Sequence, residues 1–289
     1  MTAKQLRQRL EALVAWAVWG VFKWLPVDAA SGLAGGLARL VGPRLKVSRI
    51  ARRNLARAFP AMTPAEIETV VAEVWDNLGR VAGEFPHVAW LAANRVEAVN
   101  LDVLHRLRDD GRPGLFVGAH LGNWELGPAM AFREGLPITL VYRAANNPWI
   151  EDLYRKGRGA SAAERQIAKG PEGARDIMQV LRSAGHLAIL VDQKMNDGIA
   201  VPFFGHEAMT APAVARFAIK FDCPMVPVRI ERLKGAHFRV TFHRPLELPR
   251  SGDVHADTLA TMTAINAVLE EWISARPGQW LWLHRRWPE

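Results

Sequence analysis

Cysteine is almost missing from this chain of 289 residues: Cys223 is the only one. That excludes an intramolecular disulfide framework and any metal centre built from thiolates. Cys223 lies just before an apolar run at Met225 and reads as a small core residue in a reducing, cytoplasm-facing setting. Tyrosine is scarce too, two residues against eleven tryptophans. Tryptophan favours boundaries between wet and dry surroundings, and the imbalance fits membrane contact. No apolar run reaches the ~20 residues that span a bilayer as a helix. There is no HExxH pair, no Gly-x-Ser-x-Gly elbow and no phosphate loop, which argues against a zinc protease, a serine hydrolase and a nucleotidase. His206, His243, His255 and His284 are too dispersed for a compact ligand set, so neither a metal nor a cofactor is expected. Acidic residues are outnumbered, 29 against 37 Lys and Arg, giving a net charge of +8. Such a balance favours anionic partners: nucleic acid, anionic lipid headgroups or an acidic carrier protein. No nucleic-acid-binding module is recognisable, which sets that partner aside.

What is present centres on residues 114–127, GLFVGAHLGNWELG. Leu115 to Val117 is a short apolar run bounded by glycines and reads as a buried strand. The chain then turns through Gly118–Gly122 and enters a helix near 123–133, with Asn123 as its N-cap. His120 falls where the strand ends and Glu125 in the helix's first turn, the edge of an α/β sheet where ligands bind. A carboxylate five residues after a His can fold back onto the ring, accept the N–H of one nitrogen so that it stays protonated, and leave the other free as a base. The plainer reading is a His bonded to a loop carbonyl and a Glu favoured there by the helix dipole.

From 114 onwards strand and helix alternate. Strands are expected at Leu115–Val117, Ile138–Tyr142, Leu187–Val191, Met225–Ile230 and His237–His243. Helices are expected at 147–155, 171–183, 211–221 and 258–274, with 159–169 a polar connection. This is an α/β fold, a mostly parallel central sheet flanked by helices, with the last hairpin antiparallel. Further upstream, Thr63-Pro64-Ala65-Glu66 is a capping box that starts a helix running to about Arg80. Residues 84–95 read as irregular, 96–100 as a short strand and 101–109 as a helix.

The N-terminus is separate in character. Basic residues Lys4, Arg7 and Arg9 precede the apolar run Ala12 to Phe22, and a second small-residue segment covers 28–42. We expect 1–43 to form membrane-anchor helices, interfacial or partly inserted, and 44–289 a single α/β domain. No small-residue cleavage site follows closely, which disfavours a signal peptide. A buried core helix is the alternative. Arg44, Lys46, Arg49, Arg52, Arg53 and Arg57 then give an amphipathic helix a cationic face, suited to an anionic membrane surface or simply solvated.

Several strands end in polar residues that a parallel sheet would gather at one edge: His120, Arg143, and Asp192 with Gln193. Arg143 offers a fork for a phosphate or an oxyanion. Asp192 could pair with Arg143 or bind an acceptor hydroxyl. Arg175, near the start of a helix at Pro171, is a further candidate to face a phosphate. With Asn123 these make up the expected substrate-binding set.

The arrangement His120-x-x-x-x-Glu125 within Gly122-Asn123-Trp124-Glu125 resembles the late acyltransferases of lipid A biosynthesis, the lauroyl/myristoyl-transferase family of Gram-negative bacteria. Val141-Tyr142-Arg143 with Asn147-Pro148 resembles the family's second block, and Gly173-Ala174-Arg175 with Val191-Asp192-Gln193 its third. Val201-Pro202-Phe203-Phe204-Gly205 with Thr210 resembles a fourth, and Trp282-Leu283-His284-Arg285-Arg286-Trp287 a terminal signature. The blocks run in the family's order from about 110 to the end. Gly170-Pro171-Glu172-Gly173 is only superficially similar to the phosphate-binding block of glycerol-phosphate acyltransferases, since the Thr is absent and position 125 is Glu rather than Asp. The resemblance implies an O-acyltransferase at the inner membrane, its catalytic domain facing the cytoplasm. Acyl carrier protein thioester would be the donor, acyl-CoA the alternative, and a phosphorylated glycolipid of the lipid A pathway the acceptor. His120 would be the catalytic base and Glu125 its orienting partner. Phosphatidylinositol mannoside acyltransferases share the pattern, and aminolipid or lysophospholipid acceptors are conceivable. A non-catalytic protein bound to anionic membranes is the reading from another class.

Overall fold

The glycine-bounded apolar runs become the middle strands of a seven-stranded sheet in the computed structural model, which describes residues 2–161 and 165–288. In chain order the elements are α1 (Ala3–Trp24), α2 (Val27–Val41), α3 (Ser48–Ala58), α4 (Pro64–Glu84), α5 (Val88–Asn94), β1 (Val96–Val99) and α6 (Leu101–Asp109). Then come β2 (Gly114–Gly118), α7 (Leu126–Arg133), β3 (Ile138–Tyr142), α8 (Pro148–Ser161), β4 (Gln166–Ala168), α9 (Pro171–Arg182) and β5 (His186–Leu190). The chain finishes with β6 (Lys194–Phe203), β7 (His206–Thr210), α10 (Ala213–Phe221), β8 (Met225–Lys234), β9 (His237–Phe242) and α11 (Val254–Ala275).

Strand order is β1-β9-β8-β2-β5-β3-β4. From β8 to β4 all neighbours are parallel, and the expected antiparallel hairpin is β8–β9. Both faces of the sheet are covered, as parallel sheets require. Because side chains alternate along a strand, Leu115 and Val117 of β2 pack with α3, α4, α9, α10 and α11, whereas Phe116 packs with α5, α6 and α7. The hairpin β6–β7 forms a separate small sheet that closes one end.

Three local expectations need correction. Residues 84–95 contain α5, a seven-residue helix too short for its periodicity to stand out, which buries Val88, Leu91 and Ala92. The polar connection holds the end of α8 and the edge strand β4, paired with β3 through Leu140 and Val141. The helix after His120 begins at Leu126, not at Asn123. Elsewhere the local signals hold: Thr63 and Glu66 form the reciprocal capping box that starts α4.

The expected anchor segment holds α1 and α2, which pack on the α/β body. α2 lies so close to α4 that a Cβ on Gly79 would sit 2.3 Å from the Ala34 carbonyl, and one on Gly83 2.4 Å from that of Ala30. The opposite surfaces stay apolar and exposed: Leu10, Leu13, Val14, Val21 and Trp24 on α1, and Leu33, Leu37 and Leu40 on α2. No helix among the described residues is long and apolar enough to cross a membrane.

Candidate active site

β2 and β5 are paired in parallel with Gly118 opposite Leu190, and Val191 N–H donates to the Gly118 carbonyl. His120 and Asp192 therefore stand two residues beyond the same rung of the ladder, on neighbouring chains, and their side chains meet. His120 Nδ1 lies 2.8 Å from Asp192 Oδ1, and His120 N–H donates to Oδ2 at 2.8 Å. Trp280 Nε1 donates to the same Oδ2 at 2.8 Å. Asp192 is fully buried. Burial opposes its ionisation, but the attraction and hydrogen bonding of His120, with a contribution from His284, prevail and hold the carboxyl well below the usual carboxylate range. An ionised acceptor on Nδ1 fixes that nitrogen as the donor and leaves Nε2 as the basic one.

This corrects the expectation for Glu125. Its carboxylate is turned away from His120 and takes the fork of Arg158, with Nε to Oε2 at 2.9 Å and Nη2 to Oε1 at 2.7 Å. A guanidinium offers two parallel charge-assisted bonds where an imidazole offers one, so the bidentate partner wins. It also corrects the expected pairing of Asp192 with Arg143, whose Nη2 instead donates to Asn146 Oδ1 at 3.3 Å. Buried behind the imidazole, Asp192 has no surface for an acceptor hydroxyl.

The loop between β2 and α7 is held on several sides. Gly122 adopts φ +60°, and a Cβ there would lie 2.6 Å from the Ile230 carbonyl, so the turn requires glycine. Leu121 bridges to Trp280, Gly122 N–H donates to the Gln279 carbonyl, and Leu281 N–H donates to the His120 carbonyl. Asn123, expected to touch substrate, is fully buried instead: Nδ2 donates to Glu84 Oε2 at 2.9 Å and Oδ1 accepts from Glu125 N–H. Glu84 is itself buried, forms a bidentate pair with Arg232 and accepts a hydrogen bond from Ser31 Oγ of α2.

His120 opens into a cavity of about 500 Å³ whose walls include Arg143, Gln193 and Lys169 from the strand ends, and Val18, Trp19 and Phe22 from α1. A narrower apolar cavity of about 70 Å³ lies between the sheet and α7, lined by Phe116, Ala131, Ile138, Leu140, Ala188 and Val228 among others. The two share a wall at Trp124, Glu125, Tyr142, Arg158 and Leu190. Burial and the hydrogen bond to Glu151 push the Tyr142 hydroxyl up to about 12, so it stays protonated. Of the expected site residues, His120, Glu125, Arg143 and Gln193 line the larger cavity. Arg175 does not: it is exposed on α9, because the helix starting at Pro171 carries it outward.

Sequence reasoning missed Arg158, Trp280 and Lys169. Arg158 falls between the helix expected to end at Arg155 and the connection expected from 159, and its partner is 33 residues away. Trp280 lies two residues before the terminal signature and carried no signal of its own. In that signature Arg286 is fully buried and ties the C-terminal segment to β7, donating to Thr210 Oγ1 at 2.8 Å and to the Met209 carbonyl.

The family model described as bacterial lipid A biosynthesis acyltransferase matches residues 3–289. The chain belongs to that family. Among curated relatives, the lipid A biosynthesis lauroyltransferase of Escherichia coli (strain K12) is 28% identical over 292 residues, covering 94% of this chain and 91% of the relative. The palmitoleoyltransferase of the same strain is 26% identical, covering 94% and 90%. The phosphatidylinositol mannoside acyltransferase of Mycolicibacterium smegmatis (strain ATCC 700084 / mc(2)155) is 25% identical, covering 94% and 89%. Membership makes the protein an O-acyltransferase, and the match includes α1 as well as the α/β body.

Proposed function

We propose that the protein transfers a fatty acyl chain from a thioester carrier to a hydroxyl of a lipid A precursor, with His120 as general base. The observation that carries this is the His120–Asp192 pair on the wall of a cavity that mixes apolar side chains with a few cationic and polar ones and adjoins a narrower apolar slot. His120 Nε2 takes the proton of the acceptor hydroxyl as its oxygen attacks the thioester carbonyl. The C–S bond then breaks, and the leaving sulfur receives the proton from the imidazolium. Asp192 orients the ring and stabilises its charged form. A thioester is already activated, so no acyl-enzyme is needed. Cys223 is no candidate nucleophile: it is buried, and burial pushes its thiol up to about 11.

The Glu125–Arg158 pair stands where the two cavities meet and shapes the passage between the reacting carbonyl and the slot that takes the start of the acyl tail. Arg143 and Gln193 face the acceptor's polar groups. A net charge of +8 suits an acidic acyl carrier protein as donor. The exposed apolar surfaces of α1 and α2, close in sequence to the cationic face of α3, support attachment to the cytoplasmic side of the inner membrane.

The test offers purified protein acyl carrier protein and CoA thioesters side by side, with a lipid A precursor as acceptor. Transfer from the carrier protein, falling by about 10²–10⁴-fold in His120→Ala, is the expected result. Unchanged transfer in that variant sinks the assignment of the base. A second reading is supported by the mannoside acyltransferase relative, 25% identical over nearly the same span. Faster use of acyl-CoA with a mannosylated phosphoinositide would favour it.

A further inference from the structure

The cavity in front of His120 carries more positive charge than its own walls neutralise. Arg143, Arg158 and Lys169 face it against a single carboxylate, Glu125, which is taken by Arg158. Lys169 follows β4, its N–H fixed to the Tyr142 carbonyl at 2.8 Å. From there the side chain reaches across β3 to the end of β5, where Nζ donates to the Leu190 carbonyl at 3.3 Å. That carbonyl is two residues before Asp192. The bond engages one of three ammonium donors, and no carboxylate lies within salt-bridge distance of Lys169 or Arg143 among the described residues. The cavity walls remove water from the ammonium and lower its pKa from the ordinary lysine value, against the pull of Asp192. The residue as a whole is nevertheless exposed to solvent. Cations held open at the rim of a reacting centre, without carboxylate partners, are arranged for an anion that arrives with a ligand.

We propose that Lys169, together with Arg143, forms the binding site for a substrate phosphate group beside His120. The inference rests on the acyl-transfer reading, because both reactants of such a transfer carry phosphate. One source is the pantetheine arm of the thioester donor, the other the phosphorylated glycolipid acceptor. Arg175 was expected in this role, but six residues earlier Lys169 reaches the cavity from a strand end, which points along the sheet toward the site, whereas Arg175 sits on an outward helix face.

The test measures binding, not turnover, on the full chain in detergent micelles. Two ligand pairs are compared: an acyl-phosphopantetheine thioether with its acyl-pantetheine counterpart, and a phosphorylated lipid A precursor with the same lipid after phosphatase treatment. In the wild type the phosphate-bearing member of one pair should bind about tenfold or more tightly than its partner, the scale of a charge-assisted contact. Lys169→Met should abolish that preference and Lys169→Arg should retain most of it. Loss in the first pair assigns the site to the donor, loss in the second to the acceptor. A preference that survives in Lys169→Met overturns the proposal, as does the lack of any preference in the wild type. Reduced turnover in Lys169→Met with the preference intact also overturns it and makes the ammonium an oxyanion contact. Failure of the acyl-transfer reading is distinguishable, because then the wild type would neither bind these ligands nor transfer an acyl group.

Discussion

In the proposed reaction the imidazole of His120 depends on one side chain, Asp192. Removing its charge by Asp192→Asn should leave the fold intact and lower kcat by about 10²–10⁴-fold with little change in KM, because the ring loses its fixed tautomer. Steady-state kinetics beside a thermal melt check this. Glu125 should behave differently. Its pair with Arg158 is mostly buried, with side chains 10% and 16% exposed. Glu125→Ala therefore takes the bidentate carboxylate from a mostly buried cation and should lower stability in denaturant unfolding, by at most about 3–5 kcal/mol. Replacing both members by apolar residues, Glu125→Leu with Arg158→Met, should recover much of that loss, whereas a purely catalytic carboxylate would show no such recovery. The place of His120 at the end of a strand was legible in the sequence because it follows a glycine-bounded apolar run. Its partner was not, since Asp192 lies 72 residues away and meets it only through the register of β2 on β5. The nearer Glu125 was the natural expectation, and it is outbid by a guanidinium that local sequence cannot place.

At the level of elements, the contact between α2 and α4 is set by glycine. The backbone carbonyls of Ala30 and Ala34 occupy the space where side chains at 83 and 79 would begin. Gly79→Val should force the helices apart and cost about 1–3 kcal/mol by overpacking. Since Ser31 of α2 hydrogen-bonds Glu84, which holds Asn123 beside the reactive loop, activity should fall with stability. Urea unfolding and kcat measured on the same preparation test the coupling, and stability loss with full activity would refute it. The central strands, the helices between them and the α4 capping box were readable from apolar runs and caps. The short elements α5 and β4 were not, because seven and three residues carry too little periodicity. The hairpin β6–β7 was visible only as a resembling block.

For the molecule as a whole, acid should be the weak side. His186, His243 and His284 all have pKa values lowered chiefly by burial. Each is therefore neutral in the folded state at pH values where an unfolded histidine would bind a proton. Their contribution to stability is complete above the ordinary value of about 6.5 and is lost as pH falls through it. Asp192, also lowered, acts in the same direction but only below the ordinary carboxylate range. The melting temperature should thus begin to fall below about pH 6.5, and a flat profile down to pH 5 would contradict the argument. The exposed face of α1 allows a second measurement at this scale. Leu13 and Trp24 are 67% and 89% exposed. Changing both to Ser should weaken binding to anionic vesicles by about tenfold or more, given roughly 1.5–3 kcal/mol per buried large apolar side chain. Co-sedimentation with the double variant tests it.

Trp19 and Phe22 wall the same cavity that Leu281 completes from the other direction in the chain, and residues 279–281 brace the loop that bears His120. A ribosome making this protein releases His120 long before it releases the segment that steadies its loop. The nascent enzyme should thus stay silent until synthesis has passed Leu281. Proteolysis that removes the segment from about Gln279 onward should switch off a molecule whose sheet is still standing.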